Sequence, residues 1–418
     1  MEDCIRSEAR RVLEKNYNAT GKQYITPAWP HYKNQWVWDS CFHAISCAEL
    51  GMEDIAINEI RKLFMFQDET GFIPHRIYHD NFVWFDLERP LYNRGGWHPT
   101  SSSLVGQPVI AQAVEAIDND DFTREIIEQL VKFYKYFIEF RDAENIVSII
   151  SPRESGRDAA PEFDFFRPTA PNSLRFLEKV LDPWYVLRLH NTYRRDFKRA
   201  NGEGWDEKKI LSSGIFNVKD IAIHCIFVDG LYSLKNLLKK IDREDLFPDI
   251  GEVISKSTLV LFEKAWDAED KTFYPIRVTK NGEQKIKALS LGSLFPLLLQ
   301  YLPNQMRFET LKHLRDPEKF WTLYPIPVVP RCNDKFEPIT TFPIWGSGQV
   351  WVNANWFIIR GLMRHNQRTS ARHIVNKTQE AIAKNGIWEF YNSNTGKGMR
   401  INDFAWSTLV VTFPKIVS

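Results

Sequence analysis

The densest collection of reactive side chains is Ser151-Pro-Arg-Glu-Ser-Gly-Arg-Asp-Ala-Ala-Pro-Glu-Phe-Asp164. Pro152 and Pro161 each remove a backbone donor and fix φ, and Gly156 permits a tight bend, so this stretch reads as a rigid charged loop. Four other stretches share its bias toward Trp, Asp, Glu, Arg and Asn: Trp36-Val-Trp38-Asp39-Ser40, Gly71 to His98, Trp345 to Trp356, and Gly386 to Tyr391. Carboxylates on separate loops suit glycoside hydrolysis with inversion. That reaction needs two carboxyl groups about 6.5–9.5 Å apart with a water between, one protonated and one ionised by its environment. The chain has no Ser-His-Asp order, P-loop, GxGxxG or HExxH motif, so serine chemistry, phosphate cradles and zinc hydrolysis lack support. At this level a solvated surface loop and a reactive loop are both open readings of residues 151–164.

The elements that must hold these loops read as helical. Amphipathic periodicity predicts helices at 3–17, 36–50, 53–67, 104–117, 120–141, 173–198, 217–239, 243–267, 290–301, 304–314, 349–364, 368–384 and 403–413,. Asn281-Gly282 marks the turn of a short hairpin,. The irregular segment from Asp68 to Ser103 is too long for an ordinary connection, and its aromatics argue against disorder,. About a dozen helices joined alternately by short turns and long loops imply one all-α domain over residues 1–418. Six helical hairpins closed into an (α/α)6 toroid, or barrel, would bring the long loops to one end as a funnel.

Composition narrows the partner. A net charge of +1 gives no pull toward nucleic acid or an anionic membrane,. The aromatic share is 14%, with 14 Trp, which suits platforms for sugar faces as well as a Trp-rich core. Five scattered cysteines, none in CxxC spacing, give neither a zinc ribbon nor a redox motif,. The charged N-terminus lacks a signal-like apolar run, and no apolar stretch approaches about 20 residues,. The protein is therefore expected to be cytoplasmic.

Six motifs stand in order: Trp38-Asp39-Ser40-Xaa-Phe42-His43-Ala44, Gly71-Phe-Ile-Pro-His75, Gln107-Pro108, Glu154-Ser-Gly-Xaa-Asp158, Trp351-Val-Asn353-Xaa-Asn355-Trp356, and Glu389-Phe-Tyr391-Asn-Xaa-Xaa-Thr395-Gly396-Xaa-Gly398. The set resembles glycoside hydrolase family 63. It is most similar to the short members that hydrolyse mannosylglycerate and glucosylglycerate, and more distantly to trehalase and processing α-glucosidase. The resemblance runs from about residue 20 to the C-terminus. It implies the (α/α)6 barrel and hydrolysis of an α-glycosidic bond with inversion, without cofactor or metal. Carried over by position, Asp158 is the general acid and Glu389 the general base. Trp38 and Asp39 hold the non-reducing sugar, and Gln107, Glu154, Arg157, Trp351 and Asn355 line the funnel. Trp345, Tyr78 and Trp97 join them as candidate sugar contacts. The chain departs from the family at Ala159-Ala160-Pro161-Glu162-Phe163-Asp164, where Asn-Ser-Pro-Arg-Trp-Asp is usual. It departs again at Ile344-Trp-Gly-Ser-Gly-Gln-Val-Trp351, where Tyr-Trp-Arg-Gly-Pro-Val-Trp is usual.

Read by themselves, several of these residues keep a second role. Asp39 also suits a helix N-cap, and His43 a structural hydrogen bond. Asp164 suits an ion pair, and His75 loop packing. Trp84, Trp97, Trp345 and Trp351 suit core positions. Arg76, Arg94 and His98 are the cations available to an acidic aglycone or to solvent. The expected partner is a small carbohydrate, with no nucleic acid or membrane, and self-association into a homo-oligomer is left open. A catalytically degenerate sugar-binding protein, a trehalase-like enzyme and a phosphorylase on the same toroid are the competing functions.

Overall fold

The computed structural model describes residues 2–19, 21–79, 101–158, 160–166, 207–214, 216–338 and 348–418. These are mostly helical. Long helices occupy Glu2–Asn18, Val37–Glu49, Glu53–Phe64, Asp120–Tyr136, Ile221–Lys240, Ile250–Ala265, Asn304–Arg315, Val352–Arg364 and Arg368–Asn385, with a shorter one at Ile110–Ile117. The expected helix 173–198 lies outside the described residues. Local chemistry explains the helix starts. Asn119 accepts from the Phe122 amide and Asp220 from the Ile223 amide, each satisfying an orphan donor of the first turn.

Two expected helices tighten into 3-10 geometry, Leu291–Leu298 and Ala405–Thr412. In the first, Pro296 lacks the amide an α-helix would use,. In the second, the Thr408 and Thr412 hydroxyls donate to the carbonyls of Ala405 and Leu409, competing with the backbone ladder. The expected helix 104–117 forms only from Ile110, past Pro108. The expected helix 120–141 ends in a π-helical turn at Phe137–Arg141.

Neighbouring elements share a core that runs from Ile5 to Val417. Val37–Glu49 packs on Glu53–Phe64, Ile110–Ile117 and Ala405–Thr412. Ile221–Lys240 packs on Ile110–Ile117, Ile250–Ala265 and Leu291–Leu298, and the last of these packs on Val352–Arg364. The expectation that no apolar stretch approaches about 20 residues is corrected here: Ile221–Lys240 is long and apolar enough to cross a membrane, and 83% of its apolar window is buried in the protein, as befits a core helix.

The all-α expectation needs one correction, because small antiparallel sheets tie the loops to the helices. One sheet runs Asp142–Ala143, Ile146–Ile149, Val218–Lys219, Ile276–Thr279, Gly282–Lys285. It includes the expected hairpin, with Thr279 opposite Gly282. A second joins Gln349–Val350, Trp388–Asn392 and Gly398–Asn402. Gln35–Trp36 pairs with Arg76–Ile77. Strands of two to five residues carry too weak an alternation to stand out beside helical patterning.

Candidate active site

The sheet pairings place the candidate residues. Val350 pairs with Tyr391, which stacks Trp351 on Phe390 at 5.6 Å between ring centroids. Trp406 lies 5.2 Å from Trp351 and 5.9 Å from Trp38, and its indole N–H donates to the Glu389 carbonyl at 2.9 Å. Three sequence-distant stretches thus meet on Trp406. Trp38 in turn closes on residues 151–164. Gly156 has φ +65°, and a Cβ there would lie 1.9 Å from the Trp38 ring. Only glycine fits both the left-handed backbone and the ring above it.

Glu389 is 1% exposed. Its Oε1 accepts from Arg400 Nη1 at 3.1 Å and from the Tyr32 hydroxyl at 3.4 Å. Its Oε2 has no hydrogen-bond partner among the described residues. Burial pushes its pKa up to about 7, against the pull of Arg400 and the Tyr32 hydroxyl. A carboxyl poised near neutrality suits acid–base work. Asp39 is also buried. Desolvation, then the Glu389 charge, holds it well above the usual carboxylate range. It is not the helix cap: the helix begins at Val37 after Trp36, and Asp39 lies inside the first turn.

Asp158 lies half-buried, two residues beyond the glycine that carries the Trp38 ring. The loop beneath it is anchored by charge. Glu154 is fully engaged: Oε1 accepts from Arg141 Nη2 and the Val105 amide, and Oε2 from Arg141 Nη1 and the Ile150 amide, all at 2.7–3.0 Å. Arg141 also donates to Glu207 at 2.8 Å. Arg157 Nη2 donates to Asp220 at 2.7 Å, and Glu162 lies 3.4 Å from Nη1. Gln107 donates to the carbonyls of Arg153 and Glu154 at 3.4 and 3.3 Å. Asn355 binds the Pro325 carbonyl, the Ile326 amide and the Thr378 hydroxyl. Glu154 and Asn355 are buried with their side-chain polar atoms engaged by the protein, and Gln107 is buried with its amide nitrogen on two carbonyls, so these contacts hold the loops. Arg157 also borders a small hollow lined by Trp38, Gly156, Phe295, Trp351 and Asn353.

Other expectations resolve individually. Asp164 pairs with Lys335. His43 is fully buried, 3.5 Å from Glu59, and makes no hydrogen bond among the described residues, so its expected bond is absent there. His75 Nδ1 lies 2.5 Å from the Ser102 hydroxyl. Tyr78 is buried with the Arg76 guanidinium 4.8 Å above its ring, and Arg76 stacks equally on Trp36. Trp84, Arg94, Trp97, His98 and Trp345 lie outside the described residues. Sequence reasoning missed Tyr32, Arg400, Trp406 and Arg141. Only Trp406 carried a signal, as an aromatic in an apolar helix close behind the Glu389 motif. Among the described residues no group of three or more His, Cys, Asp or Glu could hold a metal.

A model of the mannosylglycerate hydrolase MGH1-like glycoside hydrolase domain matches residues 32–407. The chain belongs to this glycoside hydrolase family. Similarity to curated relatives covers nearly all of the chain. A mannosylglycerate hydrolase of Rubrobacter radiotolerans is 24% identical over 98% of the chain and 96% of its own length. One from Thermus thermophilus is 25% identical over 97% and 99%. Among solved structures, a family 63 mannosylglycerate hydrolase of Thermus thermophilus in complex with Tris and D-glycerate superposes with a TM-score of 0.82, at 23% identity, over 98% of this chain and 100% of that one. The protein is a glycoside hydrolase with the fold of family 63.

Proposed function

We propose that the protein is an inverting α-glycoside hydrolase acting on a small α-mannoside or α-glucoside, with an α-glycoside of glycerate as the first candidate. Asp158 protonates the leaving oxygen. Glu389 takes a proton from a water on the opposite face of the ring, and the water's oxygen bonds to the anomeric carbon as the glycosidic bond breaks. The observation that carries this reading is Glu389 itself. It is a buried carboxyl with one oxygen held, the other without a partner among the described residues, and a pKa near neutrality. Trp38, Asp39 and Trp351 are the proposed sugar contacts at its side; Tyr78 is a further proposed contact, as are Trp97 and Trp345, which lie outside the described residues. The glycerate comes from the names of the relatives.

The proposed frame is one catalytic domain built as six helical hairpins. Support comes from a closed circuit of packing through Val37–Glu49, Ile110–Ile117, Ile221–Lys240, Leu291–Leu298, Val352–Arg364, Ala405–Thr412 and back to Val37–Glu49. Each of these has an outer helix packed beside it. The proposed setting is cytoplasmic, with a soluble carbohydrate as partner.

The test is hydrolysis of mannosylglycerate, glucosylglycerate, trehalose and short α-glucosides, followed by proton NMR of fresh product. The β-anomer should appear first. Asp158→Asn and Glu389→Gln should each lower kcat about 10²–10⁴-fold with the fold retained. Free α-anomer first, or near-full turnover in either variant, sinks the mechanism. Binding without release of sugar would instead mark a degenerate sugar-binding protein.

A further inference from the structure

The hairpin that carries Glu389 is irregular where the carboxylate sits. Phe390 pairs with Met399, and Trp388 pairs with Asn402. Between those pairs the single residue Glu389 faces two residues, Arg400 and Ile401. This is a β-bulge on the second strand, and its first residue, Arg400, has φ +71°. A bulge whose first residue is left-handed ordinarily uses glycine there, because a Cβ is disfavoured in that region. Here a long cationic side chain occupies it. Its guanidinium reaches Glu389 Oε1 at 3.1 Å and lies 5.6 Å from the Tyr32 ring centre. The arginine side chain is 25% exposed and the glutamate 1%, so the pair spans the boundary between solvent and interior.

Backbone strain of this kind persists where something else requires the residue. We propose that Arg400 is the positioning residue of the base: the bulge aims its guanidinium at Glu389 Oε1 and fixes the carboxylate with Oε2 toward the attacking water. This rests on Glu389 being the general base. The fixed donor fork of an arginine suits the task, since it orients a carboxylate as well as pairing with it. Among the described residues, the charged and titratable groups facing Glu389 are Arg400 on its own hairpin, Tyr32 on the segment before the first active-site helix, and Asp39 on that helix. Of these, only Arg400 is a cation.

The experiment compares Arg400→Gly, Arg400→Gln and Arg400→Lys in the full chain. Glutamate is labelled with ¹³C at the side-chain carboxyl, and Glu389 is assigned as the resonance missing in Glu389→Gln. The Glu389 titration midpoint should rise by about 1–3 pH units in the Gly and Gln variants and recover most of the way in Lys. The acid limb of kcat/KM on mannosylglycerate should move with it, and kcat should fall about 10–100-fold, part of the usual share of a general base. Arg400→Gly relieves the left-handed strain, so its Tm should be equal to or above that of the parent while turnover falls. A purely structural arginine gives the reverse, a lowered Tm in the glycine variant with the midpoint unmoved, and that overturns the proposal. If the midpoint stays while Glu389→Gln is inactive, Arg400 is not the positioning group though Glu389 is still the base. If Glu389→Gln keeps turnover, the base assignment fails and this proposal with it.

Discussion

The two carboxylates proposed for the chemistry are held in opposite ways. Asp158 rides on an irregular loop, and Glu389 on a strand. The loop makes few ladder hydrogen bonds of its own, so its buried side chains tie it to the neighbouring segments. Glu154 binds the Val105 and Ile150 amides while Arg141 neutralises it, and Arg157 reaches Asp220, which also caps the next helix. The hairpin pairs much of its backbone strand to strand, and at the irregularity Trp406 and Ser407 donate to the Glu389 and Trp388 carbonyls. Its carboxylate is therefore free to be under-satisfied, which is what a base near neutrality requires. A loop buried without a ladder must be held by charge; a hairpin can be held by backbone and aromatic packing, leaving its charge for function.

That contrast can be broken from the loop side first. Arg141→Ala leaves Glu154 and Glu207 buried without their cation and should cost about 3–5 kcal/mol in denaturant unfolding, with turnover lost as the loop loosens. A cost below about 1 kcal/mol would mean that the loop does not depend on charge.

The hairpin side is tested through pH. The folded pKa of Glu389, about 7, lies above the ordinary 4.5, so the folded protein binds the extra proton between those values. The stability linked to this group is fully present below about pH 4.5 and is lost as pH rises through 7. Glu389→Gln should therefore be more stable than the parent by about 3 kcal/mol at pH 8 and nearly equal to it at pH 4.5. A pH-independent difference would refute the strained carboxyl.

The last test is at the contact between the two regions. Gly156→Ala puts a side chain into left-handed backbone, at about 1–2 kcal/mol, and drives its Cβ into the Trp38 ring, at about 1–3 kcal/mol more. Thermal melts should show the loss and kinetics a fall in turnover, since both Asp158 and the proposed sugar contact Trp38 shift. Unchanged KM and kcat would separate Trp38 from the site.

Much of the candidate site was legible as reactive stretches because its motifs are local. Trp38-Asp39, Glu154 to Asp158 and Glu389 to Gly398 announce themselves by composition and order. Roles within them were less legible. Glu154, Gln107 and Asn355 read as ligands because buried polar residues in a reactive motif look alike whether they face a sugar or the protein's own backbone. Tyr32 meets Glu389 across 357 positions of sequence, and no local pattern encodes such a pair.

The sequence by itself determined the helical frame, the reactive stretches and the family, since periodicity and motif order are written in neighbouring residues. The tertiary structure alone decided which carboxylates are engaged and which are poised. Desolvation, ion pairing and the bulge at Arg400 depend on what surrounds a side chain, and the surroundings of Glu389 come from three distant segments.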